Sequence, residues 1–215
     1  MKRNPVVLGL GAVVLIIGVA VAWWLISPYF INDEVDEAFP DFSAQERESV
    51  REMPEDQQTV LIEMSADNQA MAEDTARAMM SDDTIMDDDM PEDADSNEPM
   101  VVLEGTFSFI DSVHNGEGSA TIYELPEGRR VLRFENFRVT NGPQLHVILS
   151  PEEPTSILDG VGDYVDLGAL KGNIGNQNYE IPDDVDLSQY KSVVIYCVPF
   201  RVVFSAAALE PMGHN

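Results

Sequence analysis

The sequence predicts an all-β domain, an antiparallel β-sandwich or a squat barrel, over residues 100–210, preceded by an N-terminal transmembrane helix and an acidic, partly helical stalk. Three observations lead there. From Met100 the chain turns to short runs of Val, Ile, Phe, Tyr and Leu broken by Gly, Pro and Asn, the composition of half-buried strands joined by tight turns. So many short strands bury their apolar faces either by packing two sheets or by closing one. No strand–helix alternation is visible, which excludes a doubly wound parallel sheet.

The expected strands are 101–108, 118–123, 130–139, 145–150, 164–170, 176–181, 192–198 and 200–207. Turn chemistry separates most of them: Asn115-Gly116, Pro126-Glu127-Gly128, Asn141-Gly142-Pro143 and Pro182-Asp183-Asp184. In the run from Leu132 to Val139, Leu132 and Phe134 face the core with Arg133 and Glu135 outside. The phase then shifts so that Phe137 and Val139 also point inward, which calls for a bulge at Glu135-Asn136.

Upstream, residues 1–31 read as a membrane anchor. Lys2 and Arg3 precede an uncharged stretch, residues 6–26, whose 21 residues span roughly 31 Å as a helix and match a bilayer core. Trp23, Trp24 and Tyr29 stand at the far end, at headgroup level, and the cations at the near end. Cleavage after Ala20-Val21-Ala22 is the rival, but it would leave an exposed Trp-Trp-Leu-Ile terminus, so an uncleaved signal-anchor is preferred. The expected placement is the cell membrane, single-pass, with the N-terminus cytoplasmic and the C-terminal domain extracytoplasmic.

Residues 32–99 read as an acidic stalk. Residues 32–100 hold 23 of the 39 acidic residues against Arg47, Arg51 and Arg77, with Phe39 and Phe42 the only aromatics, too little apolar surface for a domain of its own. Residues 55–80 lack Pro and Gly, follow Pro54, and space Leu61, Met64, Met71 and Ala78 for a weak helical stripe. From Ser81 to Pro99 the aspartate-rich run repels itself, as an extended linker would. Residues 211–215 are a polar tail.

Net charge of −27 excludes nucleic acid as a partner, because phosphate recognition needs clustered Lys and Arg. No G-x-S-x-G, H-E-x-x-H, P-loop, EF-hand, C-x-x-C or C-x-x-C-H motif is present, and no nucleophile–base pair can be named, so the chain is not expected to be an enzyme on its own. What remains is one cysteine, Cys197, in the apolar run 193–200, and three histidines. An exported chain normally pairs its cysteines, so a lone one is either a small buried hydrophobe or a redox thiol or metal ligand. The second use needs a cationic or metal-bearing neighbour, and Arg201 or a histidine could supply it.

His114, ahead of the Asn115-Gly116 turn, is either solvated or projects onto the sheet; His146 shares a strand face with Ile148; His214 lies in the tail and is assigned nothing. The methionines at 53, 64, 71, 79, 80, 86, 90 and 100 are read as helix filler before copper ligands, and Asp87-Asp88-Asp89 lacks the turn glycine and bidentate Glu of a calcium loop.

One resemblance goes further. Gly105-Thr106-Phe107, His114 with Gly118, the run 131–137 into Asn141-Gly142-Pro143-Gln144-Leu145-His146-Val147-Ile148-Leu149, then 167–172, 175–182 and the closing run 193–207 together resemble the DM13 domain over about residues 101–210. The resemblance implies a component of an extracellular electron-transfer system. Its characteristic cysteine corresponds to Cys197, acting as a bare thiol or as the ligand of a group such as haem or another metal group, and its accompanying histidine to His114. Two departures stand out: Pro199 follows the cysteine closely, and Phe204-Ser205 replaces a Phe-Gly pair in the last strand. The implied partners are the membrane, through residues 6–26, and a redox or cell-surface protein. The alternative is a non-catalytic binding or adhesion module in which Cys197 is core.

Overall fold

The computed structural model describes residues 42–90, 99–153 and 160–211. The expected membrane anchor at 6–26, most of the 91–99 linker and the tail with His214 lie outside the described residues. Among the described residues no helix is long and apolar enough to cross a membrane.

The chain is mostly β. In order the strands are β1 (Ile85–Asp87), β2 (Met100–Thr106), β3 (Gly116–Glu124), β4 (Arg130–Val139), β5 (Leu145–Ser150), β6 (Val165–Ala169), β7 (Ile174–Ile181), β8 (Ser192–Cys197), β9 (Val202–Ala208) and β10 (Glu210–Pro211). They form two sheets, β1-β7-β4-β3-β2-β10 and β6-β5-β8-β9. The eight strands expected from the sequence are all present within a few residues. The two it missed, β1 and β10, are short pieces added at the sheet edges, and β1 joins β7 in parallel, the one departure from antiparallel pairing. Neither carries an alternating apolar pattern, so nothing local marks them as strands.

One core fills the space between the sheets. Ile122, Leu132, Phe134 and Phe137 from the larger sheet meet Val147, Leu149, Ile195, Cys197 and Phe204 from the smaller. Phe107 and Phe134 pack edge to face with centroids 4.9 Å apart. The expected bulge is on β4: the register with β3 jumps from Glu135 to Arg138, and Asn136 takes φ 50°. That extra residue is what returns Phe137 and Val139 to the core, where both are buried.

Among the described residues three helices precede the strands: α1 (Ala44–Glu52), α2 (Glu55–Asp67) and α3 (Gln69–Met79). Ser43 and Glu46 make a reciprocal capping box at the start of α1. The helical region expected over 55–80 is therefore two helices rather than one. Asn68, extended at φ −153° and ψ 95°, ends α2, and its side chain accepts the Met71 N–H to start α3. Leu61, Met64, Ala72 and Ala76 then close an apolar cluster with Phe42, Val50 and one sandwich residue, Val113. Met53, Met71, Met79 and Met80 pack against it, the filler use of methionine.

Residues 81–89 run along the larger sheet as a strap. Lys171 Nζ lies 2.5 Å from Asp88, Asn173 binds Asp83 and the Thr84 N–H, Asn176 binds Asp87, and Asn178 donates to the Asp89 carbonyl. The Arg133 guanidinium donates to the Asp88 carbonyl. The repulsion within this aspartate run is thus offset by two cations, Lys171 and Arg133, and a row of side-chain amides across the strand edge. Gly172 and Gly175 make room: a Cβ at either would strike the strap backbone, at Thr84 and Met86 respectively.

Candidate functional site

Cys197 is the last residue of β8, opposite Leu145 of β5 and Val202 of β9. Its side chain points into the inter-sheet core and is 1% exposed. Beyond it the chain turns through Pro199 and Phe200, and Arg201, at φ 59°, returns its N–H to the Cys197 carbonyl at 2.8 Å. Pro199 therefore sits in an exposed turn where no ladder hydrogen bond is asked of it. The thiol donates to the Pro143 carbonyl oxygen at 3.1 Å. Burial pushes its pKa up to about 11; the backbone at Phe200 pulls it slightly down, and the Asp74 carboxylate adds to the rise. Arg201 is exposed on the turn and does not reverse this. The site holds a closed, protonated thiol.

His114 lies in the loop between β2 and β3. The turn here is formed by Asp111 rather than by Asn115-Gly116: its carboxylate accepts the backbone N–H groups of Val113 and His114 at 2.8 and 2.6 Å, an Asx turn. The same carboxylate meets His114 Nδ1 at 2.9 Å. Burial raises the Asp111 pKa, but the hydrogen bonds and charge of His114 and the Val113 N–H outweigh it and hold the carboxyl below its usual range. Of the two placements left open for this turn histidine, the solvated one does not hold, because His114 is 0% exposed. Its Nε2 is buried with no hydrogen-bond partner among the described residues. Its ring packs edge to face on Phe204 at 4.8 Å.

Phe204 links the two residues. One side of its ring meets His114, and its tip faces Gly142, where a Cβ would lie 2.5 Å from the ring. Pro143, next in the chain, takes the Cys197 hydrogen bond. The structure thus brings Cys197 and His114 to the same end of the sandwich without bonding them to each other. Ser205, which stands where the resemblance led one to expect glycine, is fully buried and donates to the Ser108 carbonyl at 2.8 Å. Close approach is supplied from the other side: a Cβ on Gly116 would lie 2.5 Å from the Ser205 hydroxyl oxygen.

His146 is elsewhere, on the outer face of the smaller sheet, with Nδ1 2.8 Å from Asp166. No group of three or more His, Cys, Asp or Glu side chains among the described residues is placed to hold a metal. Clefts of about 430 Å³ and 300 Å³ exist, but neither is lined by Cys197 or His114. A haem held by Cys197 does not fit this packing, since the sulfur is enclosed by core side chains and its hydrogen is committed to Pro143. The sequence reading missed Asp111 and Asp74. Asp111 carried a signal, an aspartate three residues before a histidine in a turn; Asp74 carried none, because only folding brings it near the thiol.

The family model described as Electron transfer DM13 matches residues 108–209. The match begins after β2, so two strands of the larger sheet and the three helices lie upstream of it. No curated protein and no solved structure matches the chain. Cys197, His114 and most of the core around them fall within the matched segment, and over residues 108–209 the chain is similar to the electron transfer DM13 family.

Proposed function

We propose that the chain is a membrane-anchored, extracytoplasmic redox component in which Cys197 serves as a thiol and His114 as its polar neighbour. The observation that carries this reading is the convergence, at one end of a DM13-like domain, of a lone thiol and a fully buried imidazole nitrogen without a partner. Anchoring rests on residues 6–26. A lone thiol exchanges electrons with a partner by attack of its thiolate on a disulfide sulfur: the S–S bond breaks, a mixed disulfide forms, and the partner's second sulfur leaves as thiolate. The raised pKa makes the closed form unreactive, so the reading requires a state in which the thiol is reached.

The test is equilibration of the full chain in glutathione buffers of graded potential, followed by trapping of free thiol with a maleimide, beside an absorption spectrum and metal analysis. A defined midpoint for the mixed disulfide, absent in Cys197→Ala, is the expected result. A thiol that stays free at every potential sinks the redox reading. The burial of Cys197 would then favour the second reading, a non-catalytic surface-binding module with a core cysteine.

A further inference from the structure

The three helices and the strap hold to the sandwich in different ways. Residues 82–89 are stitched by the amides and cations described above, from Asn173, Asn176, Asn178, Lys171 and Arg133. The helices meet the sandwich through apolar side chains instead. Val113, fully buried and next to His114, belongs to the helical cluster, and Met71 of α3 packs against both that cluster and the core holding Cys197. On α3, Ala72, Glu73, Thr75 and Ala76 are all buried, so this helix is covered on several sides. Asp74, in the same turn, lies close enough for its charge to act on the thiol.

This contact is incomplete. A cleft of about 300 Å³ opens between Met53, Gln57 and Met79 of the helical part and Asn115, Arg138 and Thr140 of the sandwich. Next to Val113 in the chain, His114 Nε2 is buried without a hydrogen-bond partner, a cost that access of water would relieve. Apolar contact through few side chains, beside a gap and next to a residue with an unsatisfied buried group, marks the part of a fold that opens before the rest.

We propose that α1–α3 form a lid over Cys197 and His114, hinged on the stitched strap, and that undocking of Met71 and Val113 is what admits a redox partner to the thiol. The lid deepens the redox reading of Cys197, but access and redox chemistry are measured separately, so either can fail alone.

The experiment uses the full chain in detergent, where Cys197 is the only cysteine. Maleimide labelling is followed beside amide exchange of α3 and β8. In the wild type, labelling is expected to track the opening of α3 and to run faster than exchange in β8. Val113→Asp and Met71→Asp are each expected to raise the labelling rate at least tenfold with β8 still protected. Labelling that tracks β8 in the wild type overturns the lid, a comparison that needs no variant to fold. So does a variant that frees α3 while the labelling rate stays unchanged. A lid that opens on a thiol with no glutathione midpoint leaves the gating intact and removes the redox reading alone.

Discussion

The Cys197 thiol donates to the Pro143 carbonyl oxygen at 3.1 Å, across the corner where β4 leads into β5. This contact fixes a neutral sulfur in the core, and it has a measurable consequence at alkaline pH. Burial raises the folded pKa from 9.0 to about 11, so the stabilisation is fully present below pH 9 and is lost as pH rises toward 11. The loss amounts to about 2–3 kcal/mol. Tyr179, also raised by burial, to about 12, adds a further loss above pH 10. Denaturant melts of wild type and Cys197→Ala across pH 8–11 are expected to converge as pH rises and to cross before pH 11, the variant starting roughly 1–2 kcal/mol lower.

Asp111 gives the opposite slope. Its folded pKa is depressed, so its contribution is present above the unfolded value and is lost as pH falls through the folded one. Asp111→Ala removes the acceptor for Val113 N–H, His114 N–H and His114 Nδ1, at an expected cost of about 2–3 kcal/mol near neutral pH. The same substitution is expected to flatten the acid side of the stability profile, read by chemical denaturation from pH 3 to 7.

Gly175 and Gly168 separate backbone strain from contact with the strap. Both have positive φ, 101° and 115°, but a Cβ at Gly168 meets nothing within 4 Å while one at Gly175 would run into the Met86 carbonyl. Gly168→Ala is expected to cost about 1–2 kcal/mol, the conformational penalty alone. Gly175→Ala is expected to cost about 3 kcal/mol or more, with loss of amide protection over residues 85–89. Equal costs for the two would show that the strap contributes little.

Asp88 ties the strap to the sheet by accepting from Lys171 and from the Asn178 N–H. The Lys171 hydrogen bond is the main cause of its lowered pKa. Asp88→Ala is expected to free the strap at a cost of about 1–2 kcal/mol. Hydrogen exchange should show faster amides in residues 85–89 with little change in β8, whereas unchanged exchange would mean that β1 pairing alone holds the segment.

The β domain was legible because each of its main strands announces itself locally. The shift from Phe134 to Phe137 forced a bulge, and Asn136 at φ 50° supplies it. Asn141-Gly142-Pro143 marked the corner, and Gly142 proves to be where Phe204 packs. Asp82 to Asp89 was harder to read, because its charge is unfavourable until amides and cations from residues 133 and 171–178 are brought alongside.

By itself the sequence determined the all-β class, the eight main strands to within a few residues, the lone cysteine, the DM13 pattern and the acidic character of the N-terminal half. These follow from period, composition and spacing, which are properties of neighbours along the chain. Only the tertiary structure decided that the thiol is closed and protonated, that His114 is buried beside Asp111 with Nε2 unpartnered, and that α3 packs over their end of the sandwich. A pKa, an orphaned nitrogen and a covering helix all depend on which distant groups share a low-dielectric space. Residues as far apart as Asp74, Val113, Pro143 and Cys197 enter that space together only when the chain folds.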